Sequence, residues 1–133
     1  MTGMTLGAAR AALRPGNSDR VPSPRRGEVW LVNFHPGRGS EQEGVRPALV
    51  VQNDVGNQFA ATTIVAAITT TIKPYTVTVV IRARTCGLPH DSMVNVAQVL
   101  TVDKGRLIRK LGELAPEQLA AVNRALRISL DLT

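Results

Sequence analysis

A chain of 133 residues is the size of one domain and long enough to bury a hydrophobic core without disulfides or metals. One cysteine, Cys86, excludes an internal disulfide, and neither a membrane-length apolar run nor a secretory apolar core is present, so a cytoplasmic protein with no membrane association is expected. The formal net charge of +6 is unevenly placed: residues 1–26 carry five arginines against Asp19 alone, while 27–133 carry 11 basic and 9 acidic residues, so an anion site in the globular part is local rather than a basic face.

Residues 1–24, poor in aromatics and ending in Pro, Ser, Asn and Gly, read as a disordered leader with a short helical piece around LGAARAALR. A start codon assigned too far upstream accounts for it better than an organelle transit peptide. Residues 25–133 form the domain. There EVWLVNF (28–34), RPALVVQN (46–53), TTIVAAITTT (62–71), YTVTVVI (75–81) and SMVNVAQVLTV (92–102) are β-branched runs of strand length, parted by Gly, Pro, Asn and Asp. LIRKLGEL (107–114) supplies a last strand with Gly112 as a kink or bulge. APEQLAAVNRALRISLDL (115–132) turns helical, with Pro116 at the first helical position and Glu117 near the positive end of the dipole. Leu119, Val122, Leu126 and Leu130 make its apolar stripe. The fold class is mainly β with a C-terminal helix: five to seven short, mostly antiparallel strands in a small curled barrel.

Several chemistries close quickly. His35 and His90 lack metal-ligand spacing, and with one Cys and no His-Glu helix pair no metal site is expected. Cys86 has His90 four residues on in a Gly-Pro loop, which reads as an unreactive thiol before a catalytic pair. No Gly-rich phosphate loop ends in Lys-Ser or Lys-Thr. The aromatics are only Trp30, Phe34, Phe59 and Tyr75, too few for a base-stacking platform. What remains is Arg46, set after a charged loop at the mouth of PALVV, and the hydroxyl-rich strand end AITTT, Ala67 to Thr71. An arginine fork matches two phosphate oxygens and stabilises a pentavalent phosphorane; a threonine hydroxyl bonds the same phosphate or the attacking oxygen. The plainer readings are a solvated strand-end cation and an ordinary strand threonine.

RRGEVWLVNF, GSEQEGVRPALVVQND, IVAAITTTI, the DS of HDSMVNV, and QVLTVDKGRL together resemble the MazF/PemK family of toxin endoribonucleases, in that family's order, over about residues 25–132. The resemblance implies an SH3-like barrel that homodimerises, with an RNA groove across the dimer interface. It implies cleavage of single-stranded RNA at a short sequence without metal or cofactor. It also implies a cognate antitoxin whose disordered, acidic tail blocks that groove, with DNA reached only through the antitoxin. The family's catalytic arginine falls on Arg46 and its catalytic threonine on Thr69; Glu41 falls on the loop glutamate and Gln98 on the glutamine before T-V-D-K. Two positions depart from the pattern. Ala97 stands where many members have an acid before the glutamine, and Ser40 where some have histidine. Acid–base work is thereby left to Arg46, Thr69, Glu41 or solvent.

GSEQ-x-GVRP-x-LV-x-QNDVGN and VAAIT are most similar to members from low-GC Gram-positive bacteria, some of which read a U-A-C-A-U-like motif. Hydrogen bonds would carry that readout, with Asn57, Gln58 and Lys73 lining the groove. Two other functions share the fold: a toxin that binds DNA gyrase without cleaving anything, and an inactivated binding module suggested by Ala97.

Overall fold

Alternating apolar side chains carry the chain into strands β1 (Glu28–Asn33), β2 (Val45–Val50), β3 (Thr62–Thr69), β4 (Thr78–Ile81), β5 (Ser92–Asp103) and β6 (Leu107–Glu113). Two α-helices join them, α1 (Asp54–Phe59) after β2 and α2 (Pro116–Ser129) after β6. The structure, a computed structural model, describes residues 21–34, 44–73 and 77–132. Each of the six strands matches a run read from the sequence, β2 and β5 exceeding theirs by one residue, Val45 and Asp103; β4 begins at Thr78 because Val77 is in a turn, and residues 74–76 of its run lie outside the described ones. The helix α1 was not anticipated. Its signal is Asn53, whose Oδ1 accepts the Gly56 N–H at 2.8 Å and so caps the first turn.

The strands form one antiparallel sheet in the order β4-β5-β3-β2-β1-β6. In that order β5 and β6 are four spacings apart, about 19 Å in a flat sheet. Only the 3-10 turn Lys104–Arg106 connects them, and five residues at full stretch span about 14 Å. The sheet therefore has to curl. Its inner cluster records this: Val32, Phe34, Ala48, Val50, Val65 and Leu107 are buried together, with Leu100 and Val102 packed on them. The other face packs Val29, Leu49, Ala66, Ile68, Ile81, Val94 and Val96 under Val122 and Ala125 of α2.

The helix buries Val122 and Ala125, with Leu119 and Leu126 half-buried beside them, but Leu130 is 56% exposed. The stripe ends one turn early because α2 ends at Ser129. Gly112 does sit at an irregularity, since the β1–β6 register shifts between Val29, opposite Gly112, and Trp30, opposite Lys110. A Cβ there would collide with the Cys86 backbone, so glycine is required by close approach. At the N-terminal side, Pro24 is fully buried although the leader was drawn through residue 24.

Candidate active site

The β2 strand shows which way its backbone faces. Val51 N donates to Ile64 O at 2.9 Å on the β3 side, and Gly27 N donates to Val50 O at 2.9 Å on the β1 side. Odd-numbered residues of this segment thus point their backbone groups at β3. The β2–β3 register holds Val50 opposite Val65, Leu49 opposite Ala66 and Ala48 opposite Ala67, and there the ladder stops. Continued in that register, Pro47 would face Ile68 and Arg46 would face Thr69. Proline has no N–H to give, so of the two bonds such a pair exchanges only the one from Ile68 N–H to Pro47 O can form. On its other side β2 keeps pairing with β1 through Arg46, opposite Val32, and Val45, opposite Asn33.

A cleft of about 180 Å³ lies where the ladder stops, lined by Arg46 and Pro47 of β2, Ile68 to Thr71 at the end of β3, and Ser92 at the start of β5. Among the described residues its polar groups are one guanidinium and four hydroxyls, with no carboxylate. Thr69 Oγ1 accepts the Thr71 N–H at 3.1 Å, which fixes its rotamer while its own proton stays available for donation. Ser92 is 2% exposed, and its Oγ donates to His90 O at 2.9 Å. Having spent its proton there, the Ser92 oxygen can only accept from anything in the cleft. A planar cation beside oriented hydroxyls in a small recess suits an anion with oxygens in several directions, which describes a phosphodiester and its trigonal-bipyramidal transition state.

The structure brings Arg46 and Thr69 together in one cleft, whose lining does not include Gln98, Asn57 or Gln58. Ser40 and Glu41 lie outside the described residues. Gln98 is exposed in a bulge of β5: Val99 pairs with Ala66 and Asn95 with Ala67, so Val96, Ala97 and Gln98 loop out between them. Asn95 Oδ1 closes that bulge by accepting the Ala97 N–H at 3.0 Å. Lys73 is exposed on the cleft side, beyond Thr71, its backbone N–H directed at Met93 Sδ at 3.3 Å.

Asn57 and Gln58 do not line this cleft. They belong to α1, next to the Thr62 end of β3, and the seven steps to Thr69 span about 23 Å. Asn57 is 1% exposed. Its Oδ1 accepts from Thr63 Oγ1 at 2.6 Å and Gln52 Nε2 at 3.0 Å, and its Nδ2 donates to Gln52 O at 2.9 Å. That amide holds α1 to β3. Gln58 lines a separate cavity of about 320 Å³ with Ser23, Pro24, Arg25 and Asp54. The Arg26 N–H bonded to Asp54 holds that carboxyl below its ordinary range.

Cys86 has its thiol pushed up by burial, and its Sγ lies 3.7 Å from Gln118 Oε1, an environment that disfavours the thiolate. Two cleft residues were not singled out from sequence. Ser92 was visible only as the DS of HDSMVNV, and Pro47 only as the partner in an Arg-Pro step.

The family described as "PemK-like, MazF-like toxin of type II toxin-antitoxin system" matches residues 25–130. Endoribonuclease EndoA of Bacillus subtilis (strain 168) is 46% identical over 110 residues, which cover 81% of this chain and 95% of that protein. Among solved structures, MazF from Deinococcus radiodurans (Form-I) is 28% identical with a TM-score of 0.71, over 83% of this chain and 98% of that one. An endoribonuclease from mycobacterial species, solved in complex with its cognate antitoxin, is 27% identical with a TM-score of 0.71, over 83% of this chain and 97% of its own.

Proposed function

The chain belongs to the PemK-like, MazF-like toxins of type II toxin–antitoxin systems, and on that premise we propose that it cuts single-stranded RNA at a short sequence, without a metal, through the RNA's own 2′-hydroxyl. It is an endoribonuclease of that family, which sets aside the reading as a gyrase-binding protein. One observation carries the finer proposal: Arg46 and Thr69 line a single recess that, among the described residues, also holds three further hydroxyls and no carboxylate.

RNA brings its nucleophile with it, so the protein has to align the 2′-oxygen, assist a proton and stabilise the phosphorane. The 2′-oxygen forms a bond to phosphorus, the bond to the 5′-oxygen breaks, the 2′-proton leaves and the 5′-oxygen gains one. In this scheme Arg46 supplies charge stabilisation first and protonation of the departing oxygen second; a guanidinium is a poor base. Thr69 orients the phosphate or the 2′-hydroxyl. Ser40, Glu41, Gln98 and Lys73 are supporting or RNA-contacting groups in this scheme, and DNA is spared because it lacks the nucleophile.

The resemblance to the low-GC Gram-positive members supports a U-A-C-A-U-like target. A homodimer acting in the cytoplasm, and a cognate antitoxin whose acidic tail competes for the groove, complete the proposal; the related toxin bound to its antitoxin supports the latter. The purified chain should cut a long RNA in excess EDTA, and sequenced 5′ ends should share one consensus. Cuts scattered without a consensus would reject the motif, and intact RNA would reject the activity. Simultaneous binding of an antitoxin peptide and an uncleavable RNA would reject the shared groove.

A further inference from the structure

The bulge in β5 orients an amide that no step of the cleavage uses. Just before the looped-out residues, Met93 pairs with Thr69 and Asn95 with Ala67. Cross-strand partners share a face of the sheet, and so do residues two apart along a strand. Thr69, Met93, Ala67 and Asn95 therefore lie on one face, with Thr69 and Asn95 about 7–8 Å apart on the diagonal. Val94 and Val96, on either side of Asn95, pack in the cluster that α2 covers, so Asn95 is turned away from that helix. Its surroundings are open. Asn95 and Thr78 opposite it are half-buried, and Val80 opposite Met93 is 40% exposed.

What the amide offers is set by the bulge. Its Oδ1 accepts the Ala97 N–H at 3.0 Å, which fixes the amide plane with Nδ2 directed away from that bond. Among the described residues nothing accepts from Nδ2. An NH2 held in this way finds a partner in a carbonyl oxygen and opposes another amino group. Uracil and guanine carry the oxygen, O4 or O6, where cytosine and adenine carry the amine, N4 or N6. With the phosphate held at Arg46 and Thr69, a group one diagonal away meets a neighbouring base rather than the phosphate. We propose that Asn95 is a specificity-determining residue: its Nδ2 donates to the keto oxygen of a uracil or guanine flanking the scissile phosphate and rejects cytosine and adenine there. This rests on the endoribonuclease site proposed above.

Asn95→Asp keeps an oxygen for the Ala97 N–H and exchanges the donor for an acceptor, whereas Asn95→Ala removes both. Each full chain digests one long RNA of mixed sequence, and the 5′ ends are sequenced. RNA bound from a random pool is sequenced in parallel. Rates are compared as ratios between sites within one protein, so the added carboxylate's repulsion of phosphate cancels. One position beside the cut should favour U or G at least tenfold in the unsubstituted protein. Asn95→Asp should turn that preference toward A and C at an unchanged melting midpoint, and Asn95→Ala should flatten it. Other consensus positions should persist in both. No U or G preference beside the cut, one consensus for all three proteins, equal erosion at every position, or a preference that Asn95→Asp loses only with a lowered midpoint would each overturn the inference. If the unsubstituted chain leaves RNA intact, the proposed activity fails and the bound pools decide Asn95. A U or G preference that depends on the amide sustains the inference there, and its absence overturns it.

Discussion

Arg46 of β2 and Thr69 of β3 line one cleft, each on the part of its strand that runs past the last β2–β3 pair, Ala48 with Ala67. The separation in sequence, 23 residues, is bridged by α1 and all of β3, so a rigid scaffold rather than a loop sets their relation.

Removing the fork should show the chemistry most directly. Arg46→Ala is expected to cut the cleavage rate a hundredfold or more, the equivalent of about 3–4 kcal/mol of transition-state stabilisation. Arg46 is exposed, so the melting midpoint should hold. Arg46→Lys should recover little, since a point charge does not reproduce two parallel donors. Thr69→Val, which keeps the shape and drops the hydroxyl, should slow cleavage at least tenfold with little change in fold. Near-normal rates for purified Arg46→Ala would remove the assignment.

The nucleophile leaves its signature on the products. Cleavage should persist in excess EDTA and yield a 5′-hydroxyl fragment and an upstream fragment ending in a cyclic or 3′-phosphate. Replacing the scissile 2′-hydroxyl with hydrogen should abolish cutting while binding survives. End-group analysis checks this, and a 5′-phosphate or a strict magnesium requirement would show that another oxygen attacks.

What the sequence disclosed follows from how local each signal is. The strands were legible because β-branched runs between turn residues state their own period. The bulge at Gly112 was legible because an isolated glycine in a strand pattern has few other uses. The pairing of Arg46 with Thr69 came through the family resemblance, since register depends on partners that a linear pattern does not name. Asn57 was misplaced for a related reason. A polar residue just after a strand reads as a loop group, yet Asn53 starts a helical turn there and tucks the Asn57 amide inside. Leu130 kept the helical spacing of its stripe, but the helix had ended.

Asn57 and Gln58 are neighbours in sequence with opposite expected behaviour. Asn57→Ala leaves the buried Thr63 hydroxyl without its acceptor, while Gln52 Nε2 keeps its bond to Thr62 O; the loss costs about 1–3 kcal/mol and should lower the midpoint by several degrees. Cleavage per folded molecule should be unaffected, because the residue sits at the far end of β3. Gln58→Ala should change neither quantity. Melting curves paired with active-site-normalised rates test this. A selective loss of RNA cleavage in a fully folded Asn57→Ala protein would return the residue to the groove.

Lys104 gives a stability prediction with a defined pH sign. It is 7% exposed, and among the described residues its ammonium has no hydrogen bond or ion pair; only its backbone N–H is engaged, with Ala61 O at 3.0 Å. Burial lowers its pKa from the ordinary 10.5. Below the folded pKa both states hold the proton and the folded protein bears the cost of an unpaired buried charge. Between the folded pKa and 10.5 the unfolded chain binds more protons than the folded one, so stability rises with pH across that window. Lys104→Met keeps the apolar stem and deletes the charge. It should therefore melt a few degrees above the unsubstituted protein at neutral pH, and the gap should narrow as pH climbs through the window, with other titrating groups cancelling in the comparison. Thermal melts of both proteins from pH 7 to 10 read this out; a methionine variant less stable throughout, or a gap that never changes, would mean the ammonium has a favourable partner.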